Sequence, residues 1–206
     1  MSLINRSFGA GIAHVYTLRR TILELNFIDT YAPYSLLRSS LESFAQTVWL
    51  LSGSTREERR TRILQAWASD YKERQNYETA VGHVVVPPAK SGSDRRDEVI
   101  AHAKSLGLPA DRVGNELYIS KTIRQAVDFM GHSGDQAVAA WRMASAFAHG
   151  KLWPTLRSSE VTSATPIQDG AWIGVVIDDT NLDEVAMWCD RLLEHTIMLF
   201  NARAQR

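Results

Sequence analysis

Only one cysteine, Cys189, stands in the 206 residues. An internal disulfide is therefore excluded, and the chain reads as a protein of a reducing compartment. Hydrophobic runs are short: none reaches the roughly 18 consecutive apolar residues that cross a bilayer. The opening "MSLINRSFGAGIAHVYTLRR" has no signal-peptide core followed by a cleavage site. These absences predict a soluble, cytoplasmic protein without a membrane partner. Neither sign of charge is in excess, with 23 Lys+Arg against 23 Asp+Glu. That balance excludes a protein-wide attraction to phosphate, so contact with nucleic acid requires a local basic patch. The histidines, at 14, 83, 102, 132, 149 and 195, form no His-x-x-x-His pair and no HExxH. Glu98 and His102 are one turn apart but lack the second motif and further glutamates of a di-iron bundle. "GHSGDQ" and "GNELY" lack the spacing of a phosphate loop, and "LSGSTRE" lacks the frame of a nucleophile elbow. No metal and no cofactor is expected.

What is present is helical periodicity. Hydrophobic content of 45% and charged content of 22% are ordinary for a globular chain. "GIAHVYTLRRTILELNFID" carries a wide apolar stripe from Ile12 to Phe27, and after Pro33 the residues Leu37, Leu41, Phe44, Val48 and Leu51 alternate spacings of four and three until Gly53. Ser54 and Glu57 have capping-box spacing before a long charged helix whose packing face is Ile63, Leu64, Trp67 and Tyr71. "HVVVPPAKSGSDRRD" is an extended connection, "DEVIAHAKSLG" a short helix closed by Gly107, and "LPADRVGNELY" irregular. "SKTIRQAVDFMG" is a short helix with Ser120 as its cap, and Ser133 opens the next one. Asp169-Gly170 followed by "AWIGVVI" signals a hairpin, after which Asn181 with Glu184, or Thr180, starts the last helix. The expected fold is a mainly α single helical bundle, residues 1–206 as one domain, with about six or seven helices and a small β-hairpin before the C-terminal helix. Cys189, at helical spacing among large apolar residues, reads as a buried structural thiol.

One stretch mixes chemistry into this pattern. In "AWRMASAFAHGKLW", residues 140–153, Arg142, Ser145 and His149 lie along one line of a helix that stops at Gly150. Trp141, Met143, Ala144, Phe147 and Ala148 are expected on the opposite arc, so the polar line faces water, a groove or another subunit. A structural account exists for each residue. A histidine in the last turn suits the negative end of the helix dipole, and Arg142 could be solvated or paired with Glu42 of "RSSLE". Arg38 and Glu42 are themselves an i, i+4 pair.

The spacing of Arg142 and His149, with six residues between them, resembles the Arg-x(4-6)-His signature of the HEPN superfamily. A related group of uncharacterised bacterial helical proteins resembles the chain at "SAFAHG" and "RSSLE". The HEPN resemblance implies a helical bundle with the motif on a late helix, and a homodimer that brings two copies of the motif into one cleft. It also implies a metal-independent ribonuclease of toxin or defence type, with a cognate antitoxin as partner. The chain departs from the pattern at Met143, where a polar residue is common. In such an enzyme the 2′-hydroxyl of RNA is the nucleophile. Histidine, the side chain that changes charge near neutral pH, transfers protons, and arginine offers a planar fork of donors to the phosphate. The candidate catalytic residues are thus Arg142 and His149, with Ser145 orienting phosphate or imidazole.

Arg38 and Glu42 are added as candidate binding residues, together with Arg59 and Arg60 of the densest basic stretch, "REERRTR". Mixed-sign pairing on a solvated helix face is the favoured account of that stretch. "IAHAKSLGLPADRVGNELYI" has spacings compatible with a DNA-binding helix-turn-helix, although Gly114 interrupts the second helix. A non-catalytic helical interaction protein is the alternative function.

Overall fold

The computed structural model describes residues 3–26, 29–177 and 179–204. It is mainly helical, 74%, and among the described residues has nine helices and one two-stranded antiparallel hairpin that precedes the C-terminal helix. In chain order these are α1 (Leu3–Leu25), α2 (Ala32–Leu51), α3 (Arg56–Ala80), α4 (Gly92–Ser105), α5 (Ala110–Gly114), α6 (Ile119–Phe129), α7 (Gly134–Ala148), α8 (Leu152–Ser158), β1 (Ser159–Ile167), β2 (Gly170–Ile177) and α9 (Asp179–Ala204). The two helices beyond the expected number are α5 and α8, too short to show an apolar repeat in sequence. Among the described residues no helix is long and apolar enough to cross a membrane. The chain divides into two compact units, one of residues 1–48 with 123–206 and one of residues 49–122.

The first unit is built on large side chains from α2, α7 and α9. The stripe read in α2 is buried throughout: Leu37, Leu41, Phe44 and Val48 belong to this unit, and Leu51 to the other. Within this unit Tyr34 of α2 stacks on Phe147 of α7, ring centroids 4.1 Å apart and nearly parallel. Offset aromatic pairs of this kind add about 0.5–1.5 kcal/mol beyond the area they bury. Alanines at 137, 140 and 144 line the buried side of α7 and leave room for neighbouring helices. Helix α1 begins at Leu3 rather than near Gly11, and Gly11 lies inside it where the Phe44 ring is received; a Cβ there would lie 2.5 Å from the ring. Phe27, the expected end of its apolar stripe, lies outside the described residues. Cys189 is buried, donates from Sγ to the Leu37 carbonyl at 3.3 Å, and is pushed by burial up to about 12, in keeping with an inert thiol.

Helix starts differ from expectation by a residue or two where several capping groups stand together. At α3 the cap is Thr55, which accepts from Glu58 N–H; Ser54 instead donates its N–H and hydroxyl to the Glu58 carboxylate. Ser120 sits inside the first turn of α6, and Thr180 and Asn181 inside that of α9. The hairpin turn is Gln168-Asp169, with Gly170 already paired to Ile167.

The second unit joins α3 to α4 and α5 around Ala68, Ala103, Leu108 and Val113, with Leu64, Val99 and Ile100 packed against them. The expected α3 face is only partly right: Trp67 is exposed, and the buried side is Thr61, Gln65, Ala66 and Ala68. Small residues let α4 approach closely, and α3 side chains finish its start. Glu78 accepts from Gly92 N–H and Gln75 from Ser93 N–H, each at 2.9 Å, while Ser91 and Asp94 form a capping box. Gly92 is required because a Cβ would lie 2.5 Å from the Tyr71 carbonyl and the Gln75 nitrogen.

Gly92→Ala forces α4 off α3 backbone atoms that cannot yield, so the unit of residues 49–122 should lose about 1–3 kcal/mol; amide hydrogen exchange in α3 and α4 reads this as faster exchange. In the other unit His195 has a buried Nε2 with no hydrogen-bond partner among the described residues and packs edge-on to Phe129. Burial, and secondarily His132, lowers its proton affinity below the usual 6.5. The unfolded chain then takes up the proton first, so stability falls as pH drops below about 6.5 and levels off once folded His195 is protonated. Thermal melts at a series of pH values should show that slope in the parent and a flatter one in His195→Leu.

Candidate functional site

The last turns of α7 form the floor of an open cavity of about 470 Å³, lined by Trp141, Arg142, Ser145, Ala146, His149, Lys151 and Trp153. All of these belong to the first unit. The floor follows from helical spacing: 142, 145, 146 and 149 recur on one face, and Phe147 points the other way into the core. Arg142 and His149 are exposed and Ser145 is half-buried. The three residues singled out in sequence therefore share one concave surface.

The rim is made by the way α7 ends. His149 is its C-cap, and Gly150 follows with φ +60°. The Gly150 N–H donates to the Phe147 carbonyl and the Lys151 N–H to the Ala146 carbonyl, each at 2.9 Å. This is a Schellman stop, which needs a left-handed residue just past the cap and satisfies two terminal carbonyls. The reversal returns Lys151 and Trp153 over the final turn, and Trp153, near the start of α8, is 46% exposed.

Trp141 is not on the opposite arc as expected; it lines the cavity. Its indole N–H donates to Glu42 Oε1 at 2.7 Å. Arg38 Nε lies 2.9 Å from the same oxygen, off the line of a hydrogen bond, so that contact is an ion pair between two half-buried side chains. Glu42 thus holds Arg38 and Trp141 rather than Arg142. Arg38 and Glu42 support a wall of the cavity and do not line it.

The lining contains two permanent cations and one imidazole and no carboxylate. Among the described residues neither Arg142 nor Lys151 has an ion-pair partner, so the donors of both are available to an anion. The groove can hold phosphate or carboxylate beside an aromatic wall. Sequence reading missed Trp141, Lys151 and Trp153 as cavity residues. The available signal was Gly150, since a left-handed stop folds the next residues back onto the turn they leave.

Other candidates are placed elsewhere. Arg59 and Arg60 lie in the second unit, where Arg59 Nη1 donates to the Gly53 carbonyl at 2.7 Å and Arg60 is exposed. Arg62 of the same stretch donates to the Trp49 carbonyl, the Ser52 hydroxyl and Glu58. Much of "REERRTR" therefore holds the start of α3 in place. The second helix of the helix-turn-helix reading is α5, which ends after 5 residues, too short to lay several side chains along a groove. Glu98 takes Lys90 and Arg95 as partners, and among the described residues no group of three His, Cys, Asp or Glu could hold a metal.

Fold and site together define a mainly helical protein with a basic, tryptophan-walled groove at the C-terminal end of one helix. Comparison with known proteins finds no match, whether with a family model, a curated protein or a solved structure.

The local geometry predicts the effect of Gly150→Ala. A Cβ at this position meets nothing within 4 Å, so the cost is that of the left-handed backbone alone, about 1–2 kcal/mol. A denaturant titration should show that loss, and Trp153→Phe in the same background should not restore it.

Proposed function

We propose that the groove over α7 is the active face of a metal-independent endoribonuclease of HEPN type, acting as a homodimer in which two copies of the groove contribute to one cleft. The observation that supports this reading most is the convergence of Arg142, Ser145 and His149 on one open cavity without a competing carboxylate. The reaction asks little else of the protein. The 2′-oxygen of RNA forms a bond to the adjacent phosphorus, its proton passing to an imidazole, and the bond from phosphorus to the 5′-oxygen breaks as that oxygen takes a proton. Products are a 2′,3′-cyclic phosphate and a 5′-hydroxyl. One His149 serves as base and the His149 of a second copy as acid. Arg142 faces the phosphate, where charge builds up, and the exposed edge of Ser145 can orient it. A toxin or defence role, with an antitoxin that covers the groove, belongs to the same proposal.

His149→Ala should remove RNA cleavage, by at least about 100-fold for loss of a proton-transfer group, while the melting temperature stays within about a degree because the side chain is exposed. Arg142→Ala is the independent check. The measurement is cleavage of labelled RNA in chelator, with both variants purified alongside the parent; equal cleavage by all three would show a contaminating nuclease and end the proposal.

A second reading, a non-catalytic interaction protein, draws on a different surface. Leu18, Ile22, Leu23, Leu37, Phe44 and Cys189 contribute to an apolar cavity of about 350 Å³ in the same unit, and Leu23 and Leu25 of α1 are 63% and 70% exposed. Apolar surface of this kind marks contact sites.

A further inference from the structure

We infer that the groove takes a single unpaired nucleobase against Trp153 and Trp141, with Arg142 and Lys151 on the flanking phosphates, so that single-stranded nucleic acid is the ligand and duplex is not. This deepens the nuclease reading and rests on it for the identity of the polymer.

The argument starts from the two indoles. Trp141 is held from behind, its N–H on Glu42 and Glu42 in turn beside Arg38. That arrangement fixes the half-buried ring at one edge while it lines the cavity. Trp153 is set by the turn at Gly150 and is nearly half exposed. Its indole N–H has no hydrogen-bond partner among the described residues. An exposed Trp153 and a half-buried Trp141 on one cavity provide aromatic surface for a planar ligand. Three features then choose among planar ligands. Arg142 and Lys151 on the same lining repel a cation, so an aromatic cage for a methylated amine is excluded. Alternation of cations with aromatic faces is how proteins hold single strands, whose bases offer stacking surfaces and whose phosphates offer charge. The cavity volume lies in the range of small-ligand sites, roughly 300–1,000 Å³, large enough for one base, and a duplex, whose bases are already stacked on each other, has no free base face to offer the indoles. Ala146, between Arg142 and His149 on the floor, adds no side chain that would fill this space.

The positioning role falls to Glu42. It touches neither base nor phosphate, and it acts by holding Trp141.

The experiment uses the full chain carrying His149→Ala, so that ligand is bound without turnover. Fluorescence anisotropy follows a labelled decamer of adenylate, the same decamer annealed to its complement, and competition by inorganic polyphosphate, which has charge but no bases. Stacking is worth about 1–3 kcal/mol per base, so Trp153→Ala should weaken the decamer about 5- to 150-fold. Trp153→Phe should stay within about threefold of the parent, polyphosphate competition should be unchanged by either, and the duplex should bind at least about tenfold more weakly than the strand. Arg142→Ala should weaken decamer and polyphosphate alike. Equal binding by Trp153→Ala, equal loss in Trp153→Phe, equal affinity for duplex, or no binding of the decamer at all each overturns the inference. Failure of the nuclease proposal looks different: the chain with His149 intact binds the strand with the same dependence on Trp153 and leaves it uncut.

Discussion

The rotation of α7 about its own axis governs everything on its surface, and it is set by the burial of Phe147 against Tyr34. A helix turns 100° per residue, so a side chain two positions from Ser145 and His149 points away from both. With the Phe147 ring stacked at 4.1 Å and fully buried, Arg142, Ser145 and His149 have no direction left but outward. Alanines along the buried side strengthen this setting, because they allow close packing without competing for depth. The polar line is thus a product of the apolar one.

Termination of the helix is the second element of the site. An α-helix leaves its last carbonyls without partners, and the left-handed Gly150 resolves two of them by folding the backbone over the final turn. What the reversal carries with it, Lys151 and Trp153, becomes a wall. Chemistry needed to end a helix and chemistry able to hold an anion therefore coincide in space, which is why a groove forms here and not along the middle of α7. Behind the other wall, Glu42 is half-buried with both an arginine and an indole N–H to satisfy it, an arrangement that keeps a carboxylate close to a basic groove without neutralising it.

Charged residues elsewhere serve helix ends in the same manner. Glu58 takes the N–H of Ser54, which holds its carboxyl below the usual carboxylate range, and Arg62 closes the turn before α3 through the Trp49 carbonyl. Glu78 draws its lowered proton affinity first from the Gly92 N–H. Several charged side chains of α3 are thus occupied by backbone groups at helix ends rather than held free on the surface.

Periodicity made the long helices legible: Leu37 to Leu51 in α2 is one buried stripe, as its spacing demands, and Asp169 with Gly170 marked the hairpin to within one residue. Capping positions were less legible, because Ser54, Thr55, Glu57 and Glu58 offer several equivalent hydrogen-bonding schemes and only the packed helix selects one. Local spacing accounts for the helical class, the hairpin before α9 and the shared face of Arg142, Ser145 and His149. Tertiary structure alone decided that Trp141 turns toward that face, that Glu42 takes the indole rather than Arg142, and that Lys151 and Trp153 close the groove. Those outcomes depend on contacts between segments up to 99 residues apart and on a chain reversal, and neither has a period that can be read along a sequence.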